Sequence, residues 1–210
     1  MQTGSPSNYR GPQEGIEFHR QVTYAFRRAL GFALVIAALL AHGAAWASRG
    51  DPWILVDTEA MTLTVLSDEN RVLARFDDIS IGSGGTASIR RRGDQTTPLG
   101  LFRIGWIDHR SRYDIFFGLD YPSERVARGG YAEGVIGRAD LDRIIEAVRR
   151  HRIPPQDTPL GGYLGIHGVG RGNLDIHRAL NWTDGCVALT NRQIRQLARW
   201  VRVGTEVLIR

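Results

Sequence analysis

The 210 residues, 42% hydrophobic and 23% charged, suit one globular domain with appendages and exclude a disordered chain. The formal charge of +5 rests on 27 basic residues that are all arginine. They are scattered among acids with no nucleic-acid-binding motif, so a solvated surface is expected and no nucleic-acid partner.

The first 47 residues stand apart. Arg27 and Arg28 precede an apolar run from Ala29 to Ala41, and Ala45-Trp46-Ala47 is a small-x-small cleavage pattern, which together predict an export signal. Left uncleaved, residues 29–47 are long enough for a membrane anchor of about 20 residues. The expected organisation is an extension with signal peptide or anchor at 1–47 and one domain at 48–210. Setting aside four Arg and two Glu leaves that domain at +3. Its expected location is a periplasm or the outer face of the cytoplasmic membrane.

From Trp53 onward, short apolar runs alternate with turn signals. Trp53 to Val56, Met61 to Leu66 and Val72 to Ile81 read as strands. Gly82-Ser83-Gly84-Gly85 opens a loop through Arg90-Arg91-Arg92, whose arginines read as solvated, with contact to an anionic substrate as the alternative. Thr97-Pro98-Leu99-Gly100 reads as a turn leading into a strand at Leu101 to Ile107. A polar, Gly-rich middle follows. Leu141, Ile144, Ile145 and Val148 then fall at i, i+3, i+4 and i+7, predicting a helix from about Asp140 to His151, ahead of Pro154-Pro155. Tyr163 to His167 and Cys186 to Leu189 read as short core strands. Leu174 to Arg178, between them, reads as a loop with His177 on the surface. Thr190 and Gln193 have capping-box spacing for a helix starting near Asn191, with Ile194, Leu197 and Val201 buried. Thr205 to Ile209 reads as a closing strand. The expected fold class is mainly β with two peripheral α-helices.

A single cysteine excludes an internal disulfide, so Cys186 is either a buried inert thiol or a free reactive one. Thiol acyl transfer needs a thiolate, a base and donors for the oxyanion. Gly185 before Cys186 lets the backbone bend closely round a substrate and frees amide N–H groups. His167 ends an apolar run and is followed by Gly168, a placement that projects an imidazole from a strand end. A neighbouring imidazolium lowers a thiol pKa into a range of roughly 3.5 to 7.5. Trp182 reads as a packing residue for the turn. A zinc site is the competing pattern, since His167, Asp175 and His177 are similar to the ligands of wall-peptide zinc peptidases. The interval is one residue too long and no third ligand motif follows, so no metal is expected.

Ile166-His167-Gly168 and Thr183-Asp184-Gly185-Cys186-Val187, with fifteen residues (168–182) between His167 and Thr183, resemble the signature of L,D-transpeptidase catalytic domains of the YkuD type. Gly93-Asp94 leading to Thr97-Pro98-Leu99-Gly100-Leu101-Phe102, Tyr121-Pro122, and the ending Val203-Gly204-Thr205-Glu206-Val207 fit the same family. The resemblance implies a β-sandwich or barrel-like fold and an exported enzyme acting on peptidoglycan stem peptides. Its Cys186 would form a thioester at an L-centre carbonyl and pass it to an amine, giving a 3→3 cross-link. His167 would be the base, the Gly185 and Cys186 amides oxyanion donors, and Thr183 and Gly168 would shape the substrate site, with no cofactor. The alternatives are a peptide hydrolase of the same fold and an inactive wall-binding protein. Two departures stand out: Asp184 replaces the usual second His, and Ala188 stands where many members carry Arg. An inward carboxylate would oppose thiolate formation, so Asp184 is expected to turn toward Arg171, Arg178 or a backbone amide. The oligomeric state is not legible.

Overall fold

The computed structural model describes Met1 and residues 50–210, of which 50–210 form one compact unit. The signal or anchor expected within 1–47 lies outside the described residues. Among the described residues no helix is long and apolar enough to cross a membrane.

In chain order the strands are β1 (Trp53–Asp57), β2 (Thr62–Leu66), β3 (Val72–Phe76), β4 (Thr86–Ala87), β5 (Thr97–Pro98), β6 (Gly100–Ser111), β7 (Asp114–Leu119), β8 (Gly165–Gly168), β9 (Val187–Leu189) and β10 (Glu206–Ile209). The helices are α1 (Glu124–Ala132), α2 (Arg138–Arg149), α3 (Leu174–Ala179) and α4 (Asn191–Leu197). Eight strands form one mixed sheet in the order β3-β2-β1-β10-β6-β7-β8-β9, and β4 pairs with β5 in a small parallel sheet. The mainly β class is borne out, but the described residues hold four helices where two were expected.

The predicted helices form where their signals lie. α2 buries Leu141, Ile144 and Ala147. Thr190 caps α4 reciprocally: its Oγ1 accepts from the Gln193 amide at 3.3 Å while Gln193 Oε1 accepts from the Thr190 amide at 2.9 Å. The two unforeseen helices are short or weakly patterned. α1 starts at Ser123, whose Oγ accepts from the Val126 amide, but Gly129 and Gly130 obscure its apolar face. α3 has six residues and an Asn173 cap, too few for a period to register, so Leu174–Arg178 is helix rather than loop.

Three strand expectations also change. The run from Val72 stops at Phe76, and after Asp78, at φ 56°, the chain crosses to the far edge of the sheet. There Ser80 and Ala188 exchange backbone hydrogen bonds of 2.9 and 2.7 Å. Thr97-Pro98 is a strand, not a turn. The Thr97 amide donates to Gly85 O and the Leu99 amide to Ala87 O, so the N–H that proline lacks falls between the two bonds the ladder uses. β7 lies in the segment passed over as polar, although Ile115 to Leu119 is apolar throughout.

β7 divides the molecule. Phe117 faces the core with Ile54, Leu63, Ile166 and Val207, all fully buried, while its neighbour Phe116 lies opposite His167 in the ladder and borders a cavity. Phe117→Ala is expected to lower the unfolding free energy by about 3 to 5 kcal/mol in urea titrations. A loss below about 1 kcal/mol would contradict its placement in the core.

Candidate active site

The parallel pairing of β8 with β9 sets Ile166 opposite Val187 and His167 opposite Ala188. Ile166 and Val187 go into the core at 0% and 1% exposure. Alternation sends His167 to the other face, and Cys186, two residues before Ala188, shares that face. Both border one cavity of about 1080 Å³. Trp106, Tyr113 and Phe116 wall it on one side, and Arg90, Gln95 and Asp184 on another.

The His167 imidazole is only 2% exposed. Tyr113 stacks on it with ring centroids 4.2 Å apart, and Trp182 meets it edge-on at 5.9 Å. Nδ1 lies 2.7 Å from Gly168 O. A carbonyl only accepts, so Nδ1 carries the proton and Nε2 keeps its lone pair. Burial lowers the imidazole to about 4, the Gly168 carbonyl opposes this, and His177 and Arg112 reinforce it. Arg112 sits 4.7 Å over the Tyr113 ring, on the aromatic stack that holds the histidine. Gly168, expected to shape the substrate site, is buried and does not border the cavity, and its carbonyl fixes the imidazole tautomer.

Cys186 follows a turn braced by Thr183, whose Oγ1 donates to Cys186 O at 2.6 Å and accepts from the Gly185 amide at 3.2 Å. The Gly185 amide, expected as an oxyanion donor, is therefore already engaged. Gly185 has φ 121°, and a Cβ there would clash with the Thr96 carbonyl oxygen, with Leu164 and Arg90 close behind at 3.2 and 3.3 Å, so only glycine fits. The thiol donates to Tyr163 O at 3.7 Å. Cys186 keeps partial exposure, yet burial pushes its thiol up to about 11; the Gly165 amide and Arg90 oppose this and Asp184 adds to it. Histidine down and thiol up describe a neutral pair at rest, whereas the sequence suggested an imidazolium-assisted thiolate.

Several placements differ from those expected. Asp184 turns to neither Arg171 nor Arg178: its Oδ1 accepts from Gln95 Nε2 at 3.2 Å. Arg90 is not solvated but 3% exposed, with Nη2 donating to Asp184 O at 3.2 Å. His177 is buried at 2% rather than on the surface, and its Nδ1 accepts from Trp182 Nε1 at 3.2 Å. Its Nε2 has no hydrogen-bond partner; burial lowers the imidazole, and the Asp78 carbonyl is near enough to oppose this without meeting hydrogen-bond geometry. Trp182 thus packs between two histidines, as a residue holding the turn should. Asp175 is exposed, 3.8 Å from Arg178, and among the described residues no three His, Cys, Asp or Glu side chains are grouped to hold a metal. Tyr113, Phe116 and Tyr163 were missed as residues of the cavity, while Arg90 entered only as an alternative contact for an anionic substrate. Only Gly161-Gly162 before Tyr163 hinted at an unusual backbone, and Tyr163 does sit at φ 54°.

The L,D-transpeptidase catalytic domain (YkuD) family model matches residues 51–209. Among solved structures, the helical cell shape determining protein Pgp2 from Campylobacter jejuni is 20% identical, with a TM-score of 0.52 over 77% of this chain and 48% of that one. Bd1075 from Bdellovibrio bacteriovorus is 19% identical, with a TM-score of 0.48 over 78% and 49%. An L,D-transpeptidase from Xylanimonas cellulosilytica is 18% identical, with a TM-score of 0.42 over 78% and 62%. The chain spans about half the length of the first two. No curated protein sequence matches it. At such identities the Pgp2 likeness speaks for the fold alone, but the family model covers nearly every described residue, and the chain belongs to the L,D-transpeptidase catalytic domain family.

Proposed function

We propose that this chain is an exported cysteine acyltransferase acting on peptidoglycan stem peptides, with Cys186 as nucleophile and His167 as base. The observation that carries the reading is the β8–β9 register, which gives thiol and imidazole one face and one cavity while Gly168 O leaves Nε2 as the free base. Nε2 takes the thiol proton as Sγ attacks an L-centre carbonyl, and the Cys186 amide is the donor left for the oxyanion. Collapse breaks the C–N bond, the imidazolium protonates the departing amine, and a thioester remains. An acceptor amine gives up its proton to Nε2, attacks the thioester and yields the cross-link, returning the thiol; water in the amine's place gives hydrolysis.

Incubation with a carbapenem, followed by intact-mass analysis, is expected to give one adduct on Cys186 and none in Cys186→Ala. An unmodified wild-type chain would favour a wall-binding role. His167→Gln is expected to slow acylation by about 10²-fold or more, as loss of a general base does. With stem-peptide donors, 3→3 dimers appearing only when an amine acceptor is present distinguish transfer from hydrolysis.

A thiol near 11 is about one part in 10⁴ thiolate at pH 7, so iodoacetamide, which needs the thiolate, should react slowly there and tenfold faster per pH unit up to about 11. Acylation through His167 should instead rise only through pH 4, where the imidazole loses its proton, and stay level above it. An alkylation rate already flat above pH 6 would indicate a standing ion pair. Asp184→Asn removes a charge that raises the thiol yet keeps an oxygen for Gln95, so turnover should stay within about threefold and alkylation at pH 7 should quicken. A tenfold loss of turnover would give that carboxylate a direct part in the chemistry.

A further inference from the structure

α3 is packed inside out. Of its six residues only His177 is buried, at 2% exposure, while Leu174 and Ile176 stand 43% and 50% exposed. A surface helix ordinarily turns its apolar side chains to the core, so giving the one inward position to an imidazole carries a cost. The cost is visible at Nε2, which is buried without a hydrogen-bond partner. The return is at Nδ1, which accepts from the Trp182 indole N–H at 3.2 Å. An accepting Nδ1 keeps its lone pair, so the ring is neutral with its proton on Nε2, and burial, which lowers this imidazole, favours that form.

This bond is not what holds the backbone of the turn before Cys186. The Trp182 amide donates to Ser80 Oγ at 3.3 Å, the Thr183 amide to Ile81 O at 3.2 Å and the Ser83 amide to Thr183 O at 2.9 Å, while Asn181 Oδ1 accepts from the Ile81 amide at 3.1 Å. None of these involves His177; its side chain serves the indole ring. That ring meets the His167 imidazole edge-on at 5.9 Å, beside the stacked rings of Tyr113 at 4.2 Å and Phe116 at 6.0 Å. The Gly168 carbonyl gives His167 one hydrogen bond, a pivot at Nδ1, and the packed rings fix the angle at which Nε2 points.

Resting on the acyltransferase reading, we propose that His177 is a positioning residue for the reaction: through the Trp182 indole it holds the His167 imidazole at the angle from which Nε2 takes the thiol proton. His177 does not border the cavity, so it acts through Trp182 and touches no substrate.

The test uses the full chain and two rates at Cys186: acylation by a carbapenem, which passes through His167, and alkylation by iodoacetamide, which needs only the thiolate. His177→Leu keeps bulk and removes the acceptor. Acylation is expected to slow by about tenfold or more while alkylation stays within about twofold. His177→Asn puts an amide oxygen on the branch that Nδ1 occupies and should restore acylation to within about threefold of wild type. In a Trp182→Phe background, which has no N–H to hold, His177→Leu should add less than about twofold. Should His177→Leu not fold, Trp182→Phe removes the same hydrogen bond from the other side and should show the same loss of acylation against alkylation. Unchanged acylation, a parallel fall in both rates, a His177→Asn variant as slow as His177→Leu, or a full further loss on top of Trp182→Phe overturns the positioning role alone. No carbapenem adduct on the wild-type chain overturns the acyltransferase reading, and this inference with it.

Discussion

The parallel register of β8 and β9 is the constraint on which the candidate site rests. Two short strands, of four and three residues, decide which side chains look inward and which look to the cavity. A slip of one residue would bury the thiol among Ile166 and Val187 and turn it from the imidazole. Strands so short do not hold register unaided. β7 pins one side, pairing Phe116 with His167, and Ser80 pins the other, pairing with Ala188 from across the fold. Ala188 is fully buried beneath that pairing, which suits a small residue at that place.

Burial sets the resting protonation of the pair, and it works against ionisation of both members. The desolvation that lowers the imidazole also raises the thiol, so both groups rest neutral. The stack of Arg112, Tyr113 and His167 reinforces this, with a cation facing the far side of the aromatic pair.

Positive charge lines the cavity from the loop between β4 and β5, through Arg90 and Arg92, and from the β6–β7 hairpin, through Arg110 and Arg112. Arg90 reaches under the Asp184 carbonyl and packs against Gly185, and a glycine at φ 121° is what lets the guanidinium come so close. The turn therefore serves two ends: it presents the thiol, and it leaves room behind for a cation.

The sequence by itself determined the mainly β class and the helices at α2 and α4, and singled out His167 and Cys186 as candidates, because periodicity, capping and a lone cysteine are local signals. It also carried the family, through spaced motifs that the fold keeps at their intervals. Only the tertiary structure decided the rest. Arg90 looked like part of a solvated basic run and His177 like a loop residue, since charge and residue type say nothing of which segments come to lie over them. Gly185 looked free to donate, but Thr183 had taken its amide. Arg90 finds a partner in Asp184, 94 residues away, and no local pattern encodes a contact made across that distance, while the Thr183 hydroxyl that takes the Gly185 amide is close in sequence but placed there by the folded turn.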